Sequence, residues 1–266
     1  MVGDTPAALT VWKTIRIALL LIVLAAVALH AWLDRLSTQS WQEPLWVGIF
    51  PLNGDGSREA ASYVAGLDAE SFRAIAQFCA REAHRYGVAV DEPVHLELYP
   101  EGHALPPTLA PGSGPLAIAW WSLRMRLFAS HAEVPGRAPP RIRLFVLYHD
   151  PATLERVPDS HGLEKGLTGV VHAFAAPAMA GANNIVITHE LLHTVGATDK
   201  YEPGSGQPLE PQGLGDPERV PRYPQERAEI MAGRVALSGQ ESEMPRSLAA
   251  VVVGAQTARE IGWVKR

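Results

Sequence analysis

The sequence predicts an α/β or α+β domain built on a small mixed, mostly parallel sheet, preceded by one apolar N-terminal helix. Three observations lead to this prediction. Hydrophobic residues make up 47% of the 266 residues and charged residues 19%, which excludes a disordered chain. Candidate strands and helices follow one another without strict alternation, which is typical of a mixed sheet with packed helices. One apolar run near the N-terminus approaches the length of a bilayer-spanning helix.

The N-terminal apolar run is residues 17–32, IALLLIVLAAVALHAW, in which His30 is the only polar side chain. Lys13 and Arg16 precede the run, so the positive-inside rule predicts a cytoplasmic N-terminus and an exported remainder. We expect a single-pass protein of a bacterial inner membrane, with its main domain facing the periplasm. A cleaved signal peptide and a buried core helix are the alternatives. The predicted segments are a cytoplasmic N-terminus at 1–14, a transmembrane signal anchor at 15–33, a juxtamembrane stalk at 34–44 and a catalytic domain at 45–266.

Charge and cysteine content exclude several kinds of function. The chain has 23 Lys and Arg against 28 Asp and Glu, a net charge of -5, which argues against a nucleic-acid partner. Its single cysteine, Cys79, excludes an intramolecular disulfide and a cysteine-based zinc cluster. Cys79 falls on the apolar stripe of a predicted helix, so we expect a buried structural thiol.

The remaining chain divides into short elements and one long irregular segment. Residues 201–224 are dense in Pro and Gly, so we expect little regular structure there and a functional or mobile loop. Hydrophobic periodicity, turn residues and capping residues define the other elements. The predicted strands are 46–52, 94–99, 141–148, 169–175 and 184–188, and the predicted helices are 68–86, 116–131 and 247–261.

The chemistry-bearing motif is HELLHTVGATDKY, residues 189–201. His189 and His193 are four residues apart, so on a helix they project from one face and can bind one cation. Glu190 can reach a metal-polarised water without being a ligand, which suits a general base. Gly196 permits the left-handed backbone that ends a helix. Asp199 then returns as a third ligand and leaves a fourth position open, as a catalytic zinc site requires.

This motif is more specific than its histidine pair alone. With ten histidines, a bare HExxH arises by chance in roughly 2 to 4% of shuffled sequences, and the added Gly196 and Asp199 make coincidence far rarer. The competing interpretation is an amphipathic helix with two exposed histidines. Glu210, Glu218 and Glu226 are alternative third ligands, although the Pro/Gly-rich surroundings disfavour a helix that would present them.

HELLHTVGATD resembles the motif of the metzincin clan of zinc metallopeptidases, in its form with an aspartate as third ligand. The resemblance includes a methionine turn, for which Glu229-Ile230-Met231-Ala232-Gly233 is the candidate. By this resemblance Met231 is a structural floor under the ligands. The resemblance also implies a zinc cleft beside the edge of the sheet, for which 169–175 is the candidate strand that an extended peptide would join.

One family feature is absent, because Gly233 stands where such peptidases frequently carry a tyrosine two residues after the methionine. Tyr201 is the available candidate for stabilising an oxyanion. The predicted function is a membrane-anchored zinc metalloendopeptidase with one Zn²⁺ per chain and a peptide or protein substrate. The alternatives are a zinc hydrolase of a non-protein amide and a non-catalytic envelope module with a closed metal site, in which Glu218 or His172 supplies a fourth ligand. The sequence does not indicate an oligomeric state.

Overall fold

The computed structural model describes residues 6–264 except 103, 111, 133–135 and 164–166. The chain forms two compact units, residues 1–38 and 39–266. Helix α1 (Pro6–Thr38) accounts for the described part of the first unit. Residues 1–5 of the predicted cytoplasmic N-terminus, and the last two residues of the predicted catalytic domain, lie outside the described residues.

The structure of the first unit contradicts the predicted transmembrane segment. Within the described part of the chain, no helix is both long enough and apolar enough to cross a membrane. This finding overturns the transmembrane signal anchor predicted at 15–33 and the single-pass, periplasm-facing location that depended on it.

The second unit is built on a five-stranded sheet in the order β2-β1-β3-β5-β4. Three neighbouring pairs, β2 with β1, β1 with β3 and β3 with β5, are parallel, and only the edge strand β4 runs antiparallel, to β5. The mixed, mostly parallel α/β sheet therefore fits the predicted class. Its strands are β1 (Leu45–Asn53), β2 (Val94–Leu98), β3 (Ile142–His149), β4 (His161–Leu163) and β5 (Thr168–Phe174).

Helices cover both faces of this sheet, because each central strand is apolar on both sides. In β3, Leu144 and Val146 belong to one core cluster, whereas Phe145 and Leu147 belong to the other. The larger cluster includes residues of α2, α3 and α5, and the smaller one includes residues of α4. These helices are α2 (Arg58–Ala65), α3 (Arg73–Arg85), α4 (Pro115–His131) and α5 (Ala180–Thr194). Cys79 of α3 is fully buried in the larger cluster, as predicted.

The C-terminal part carries short elements that pack beside α5. Residues 202–224 contain no helix or strand, as the sequence predicts, and two isolated bridges, Tyr201 with Pro208 and Leu214 with Ala228, tie the segment down. The helix predicted at 247–261 is wrong over most of its length. Only its end is an α-helix, since Val251 and Val252 form a strand. The elements are β6 (Ala228–Glu229), β7 (Val235–Ala236), β8 (Ser242–Glu243), β9 (Val251–Val252) and α6 (Ala255–Glu260).

Two further predictions near the motif are also wrong. Residues 184–188 form the middle of α5 instead of a strand, because this helix is buried on most sides and its short apolar run carries no helical periodicity. Asn183 begins this run of buried positions, and its side-chain amide exchanges two hydrogen bonds with the backbone of Phe174 at the end of β5. The predicted edge strand 169–175 is internal, because the three-residue β4 pairs with its outer side.

Candidate metal centre

Helix α5 presents His189 and His193 on one face, as their spacing predicts. The helix ends at Thr194, and Gly196 follows with a positive φ of 102°, a backbone conformation that glycine adopts without steric cost. Gly196 therefore ends the helix as predicted. The chain turns here and returns Asp199 to the two histidines.

Each histidine is held by a backbone carbonyl on the far side of its ring. Nδ1 of His189 lies 3.0 Å from the carbonyl oxygen of Ile230, and Nδ1 of His193 lies 2.9 Å from that of Ala197. A carbonyl oxygen can only accept, so each Nδ1 carries the proton and donates. The lone pair of a neutral imidazole is then on Nε2. Both Nε2 atoms face the same point.

The three ligand atoms form a nearly equilateral triangle. Nε2 of His189 lies 3.0 Å from Nε2 of His193, and Oδ1 of Asp199 lies 3.1 Å from each. A tetrahedral zinc site with bonds of about 2.1 Å has ligand atoms about 3.4 Å apart, so a small shift would accommodate an ion. His189, His193 and Asp199 thus form a group that could hold a metal ion. The other predicted third ligands do not join them: Glu210 pairs with Arg222, and Glu226 pairs with Arg219.

The electrostatics of this cluster favour a positive charge between its members. Burial alone would raise the pKa of Asp199, but the hydrogen bonds from His189 and His193 hold it well below its usual range. Burial alone would lower the pKa of His189, but Asp199, Glu190 and the Ile230 carbonyl together raise it to about 9. Asp199 is therefore an ionised carboxylate, and His189 carries a compensating proton at neutral pH. A divalent cation would supply the positive charge that this arrangement stabilises.

Glu190 lies beside the cluster with an unsatisfied oxygen. Glu190 is 5% exposed, and its buried Oε2 has no hydrogen-bond partner among the residues that the structure describes. Burial raises the pKa of Glu190, while the neighbouring His189 and His193 oppose that rise. An unpaired buried carboxylate oxygen is costly for stability, so its retention points to a partner that binds from outside the chain.

The turn 229–233 contacts His189 of the ligand helix α5. Ile230 supplies the carbonyl that accepts from His189, and the fully buried Met231 accepts a hydrogen bond at its carbonyl from the amide of Lys200. Glu229 holds the turn through hydrogen bonds from the Met231 and Ala232 amides to its Oε2. The turn thus touches both the ligand helix and the ligand loop, which suits the structural role predicted for Met231.

A buried ion pair fixes the loop that carries Asp199. Lys200, whose side chain is 4% exposed, places Nζ 2.8 Å from Oε2 of Glu260 on α6 and 2.7 Å from the Thr198 carbonyl. The Thr198 amide also donates to Glu260. Thr198 and Lys200, the residues on either side of Asp199, are therefore anchored to α6. Sequence reasoning missed this pair because the partners are 60 residues apart.

Tyr201 lies near the cluster, with its ring centre 6.3 Å from that of His189. Burial and the negative charges of Asp199 and Glu190 raise the pKa of its phenol to about 12, so it is a protonated donor at neutral pH. By contrast, His172 is engaged elsewhere: its Nδ1 lies 2.8 Å from Nε2 of His149. Within the described residues, neither His172 nor Glu218 belongs to the ligand group.

Other residues that build the site were not predicted. Gly162 of β4 packs against Glu190 and His193, and a Cβ there would lie 2.5 Å from the Glu190 carbonyl oxygen. Its only sequence signal is a glycine in a short segment, which is common in loops. Glu229 lies in the candidate methionine turn 229–233, where a single acidic residue in an otherwise apolar pentapeptide indicates a structural role. The sequence gives no signal that the Ala197 and Ile230 carbonyls contact the two histidines.

No protein-family model and no curated protein matches this chain.

Proposed function

We propose that this protein is a zinc-dependent metallopeptidase of metzincin type, with His189, His193 and Asp199 as zinc ligands and Glu190 as general base. The observation that carries the proposal is the convergence of three ligand atoms at 3.0 to 3.1 Å beside a buried carboxylate oxygen that has no partner in the described part of the chain. A helix with merely exposed histidines would have neither feature.

The donor set fits zinc better than it fits the hard divalent ions Mg²⁺ and Ca²⁺. Two imidazole nitrogens and one carboxylate oxygen are typical zinc ligands, whereas Mg²⁺ and Ca²⁺ prefer sites made of oxygen ligands. Three protein ligands leave a fourth position for water, as in catalytic sites. When bound, the ion would polarise a water molecule and a carbonyl group. These properties favour hydrolysis over a purely structural metal site.

Residues of the chain supply proton transfer, oxyanion stabilisation and positioning of the ligands. Glu190 takes a proton from the attacking water at Oε2 and later gives it to the leaving amine, so that the proton count balances at the end of the cycle. Its burial raises its pKa, which brings its proton affinity closer to the working pH. Tyr201, as a protonated phenol near Asp199, can donate to the oxygen that becomes negative during attack. Met231 and its turn fix His189 through the Ile230 carbonyl.

A peptide substrate is favoured by the edge of the sheet. Strand β4 pairs with β5 on one side only, and within the described residues no strand occupies its outer side. Its Gly162 packs against Glu190 and His193, so a chain that hydrogen-bonds to β4 would pass beside the metal centre. This replaces the internal strand 169–175 as the proposed peptide-binding edge.

The test is zinc content and proteolysis measured on the same preparations. We expect one zinc per chain in the parent, almost none in His193→Ala, and one zinc with no activity in Glu190→Gln, using casein and a mixture of quenched fluorescent peptides as probes. His84→Gln, on the exposed face of α3, is the matched control and should behave as the parent. A folded parent without zinc, or a zinc-loaded Glu190→Gln that cleaves like the parent, would refute the proposal.

A further inference from the structure

A cavity of about 230 Å³ lies at the carboxyl end of β3, on the sheet face that α2 and α5 cover. Its walls come from Tyr148 near the end of β3, from Tyr63 of α2 and from the first turns of α5. Gly66 and Pro177, which are exposed, also line it, so the cavity opens to solvent. At about 30 Å³ per water molecule, this volume accommodates one small organic molecule and is too small for a peptide.

The topology of the sheet places this cavity where α/β domains commonly bind ligands. The chain leaves β1 toward β2 on one side and leaves β3 toward β5 on the other, because the strand order is β2-β1-β3-β5-β4. In open α/β sheets, ligands bind beyond the carboxyl ends of the strands, beside such a reversal of direction. Tyr148 pairs with Asn53 at the carboxyl end of β1, so it lies at this point.

Buried polar groups in the wall of the cavity are incompletely paired by the chain. The Tyr148 phenol has no hydrogen-bond partner among the described residues, although the residue is only 1% exposed. Asn184, which is 7% exposed, donates from Nδ2 to the Ser71 carbonyl at 3.0 Å, but its Oδ1 accepts no hydrogen bond from the described part of the chain. Asn183 uses Oδ1 and one Nδ2 hydrogen on the Phe174 backbone, which leaves its second hydrogen free. Buried groups are normally paired, so these three point to a ligand.

The chemistry of the lining restricts the kind of ligand. No described residue that lines the cavity carries a charge, so an ion would find no counter-charge there. Burial raises the pKa of the Tyr148 phenol, which therefore stays protonated and neutral. The rings of Tyr63 and Tyr148 contact each other, with centres 5.1 Å apart and planes inclined at 50°, so no flat base fits between them. Hydroxyl groups both donate and accept, so a polyol can pair with the phenol and with both carboxamides.

We propose that this cavity binds a neutral polyhydroxylated molecule of about the size of a monosaccharide, through hydrogen bonds to Tyr148, Asn183 and Asn184. The site is distinct from the metal centre, because His189 and His193 lie about 8 to 15 Å further along α5. The proposal does not depend on the peptidase function, since none of its residues is a proposed metal ligand or general base.

The test is saturation-transfer difference NMR on the full chain, with D-glucose, D-galactose, D-mannose and N-acetyl-D-glucosamine as probes at millimolar concentration. Acetate and adenine serve as the charged and the flat comparison. Tyr148→Phe removes only the phenol oxygen, which the described chain does not use. Tyr99→Phe is the matched control, because Tyr99 is 2% exposed, lies outside the cavity and donates its phenol to the Ala138 carbonyl at 3.0 Å.

We expect at least one of the four sugars to bind the parent and Tyr99→Phe equally, and to bind Tyr148→Phe about three- to tenfold more weakly. Thermal unfolding should be unchanged in Tyr148→Phe, because the lost hydroxyl has no described partner in the chain, and should occur at a lower temperature in Tyr99→Phe. Gly66→Trp is a second, steric variant, since Gly66 has a φ of -90° and a Cβ there makes only ordinary contacts. It should weaken binding at the rim of the cavity, whereas Gly204→Trp, at an exposed position elsewhere, should bind as the parent does.

Three results would overturn the proposal. The first is a folded parent to which none of the four sugars binds, which would leave the cavity to water alone. The second is equal sugar binding by the parent, Tyr148→Phe and Gly66→Trp, which would place the sugar elsewhere on the chain. The third is acetate or adenine bound more tightly than every sugar, with the same loss in Tyr148→Phe, which would assign the cavity to an ion or a flat base.

Discussion

Gly162 of the edge strand lies against Glu190 of the ligand helix so closely that no side chain fits between them. A Cβ on Gly162 would be 2.5 Å from the Glu190 carbonyl oxygen, 2.6 Å from Cβ of His193 and 3.2 Å from Oε2 of Glu190. Two of these three neighbours are fixed parts of the helix. The separation between β4 and α5 therefore depends on the absence of a single methyl group.

We predict that Gly162→Ala pushes β4 away from α5. Because the nearest atom is a backbone oxygen, relief requires movement of an element, and we expect a loss of about 1 to 3 kcal/mol in the free energy of unfolding, together with a fall in peptidase activity. Urea unfolding and the casein assay measure the two effects. Gly204→Ala is the control, since a Cβ there meets no atom of the described residues within 4 Å. Equal stability of the two variants would contradict the close packing.

Glu229 should act on the metal centre through the methionine turn. Its carboxylate accepts from the Met231 and Ala232 amides at one oxygen and from the Gly254 amide and the Thr257 hydroxyl at the other. In Glu229→Gln one of these oxygens becomes an NH₂ group that faces donors. We expect a loss of about 1 to 3 kcal/mol in unfolding free energy and, since Ile230 moves with the turn, zinc binding weakened by about 10- to 100-fold.

Competition with a zinc-binding dye measures the second effect in Glu229→Gln. The exposed Glu243→Gln is the matched control. A Glu229→Gln protein that is destabilised but binds zinc as tightly as the parent would show that the turn does not position His189.

Removal of Glu260 should leave the buried Lys200 without its ion-pair partner. We expect Glu260→Gln to lower the unfolding free energy by about 3 kcal/mol, because breaking one side of a buried pair leaves the other charge desolvated. Lys200→Met in the same chain should restore part of that loss. Glu226→Gln, whose partner Arg219 is in a mostly exposed pair, should cost under about 1 kcal/mol. Similar losses for the two single variants would contradict this prediction.

The His149–His172 contact should make stability fall in mild acid. Burial, followed by the charges of His149 and His161, lowers the pKa of His172 from 6.5 to about 4, and burial also lowers that of His149. The unfolded chain therefore takes up protons first, so this contribution to stability is complete above about pH 6.5 and is lost as the pH falls toward 4.

Urea unfolding of the parent and of His172→Gln measures this dependence, with EDTA present throughout so that loss of metal does not contribute. The parent should lose more stability than the variant between pH 7 and 4.5. His84→Gln, an exposed histidine, should follow the parent. Parallel profiles for the parent and His172→Gln would rule out the contribution of this pair.

The motif residues could be predicted because their geometry is local. The four-residue spacing places His189 and His193 on one face of α5, and Gly196 follows the end of the helix with a positive φ. Both features are as predicted. Asp199 is only six residues beyond His193, so a single turn of the chain brings it back. The spacing of the motif therefore contains nearly all the information that brings these ligands together.

The elements around the motif could not be predicted because their conformation depends on tertiary contacts. Residues 185–187 are apolar and β-branched, but they are helical because α5 is buried against the sheet and α3. Strand β4 is three residues long and exists through its pairing with β5. The transmembrane prediction rested on the length of an apolar run and on the basic residues before it, and it is overturned by the described part of α1.

The two carbonyl contacts of the ligand histidines have a consequence for how the centre is assembled. Ile230 and Ala197 hold the rings before any ion arrives, so metal uptake would order few additional groups and cost little conformational entropy. Folding and metallation are then separable events, unlike in small zinc domains that are unfolded without their ion. A chelator should thus yield a native-like chain that takes up metal again on addition of zinc, and for the proposed peptidase the supply of metal, instead of the synthesis of new protein, would determine when it is active.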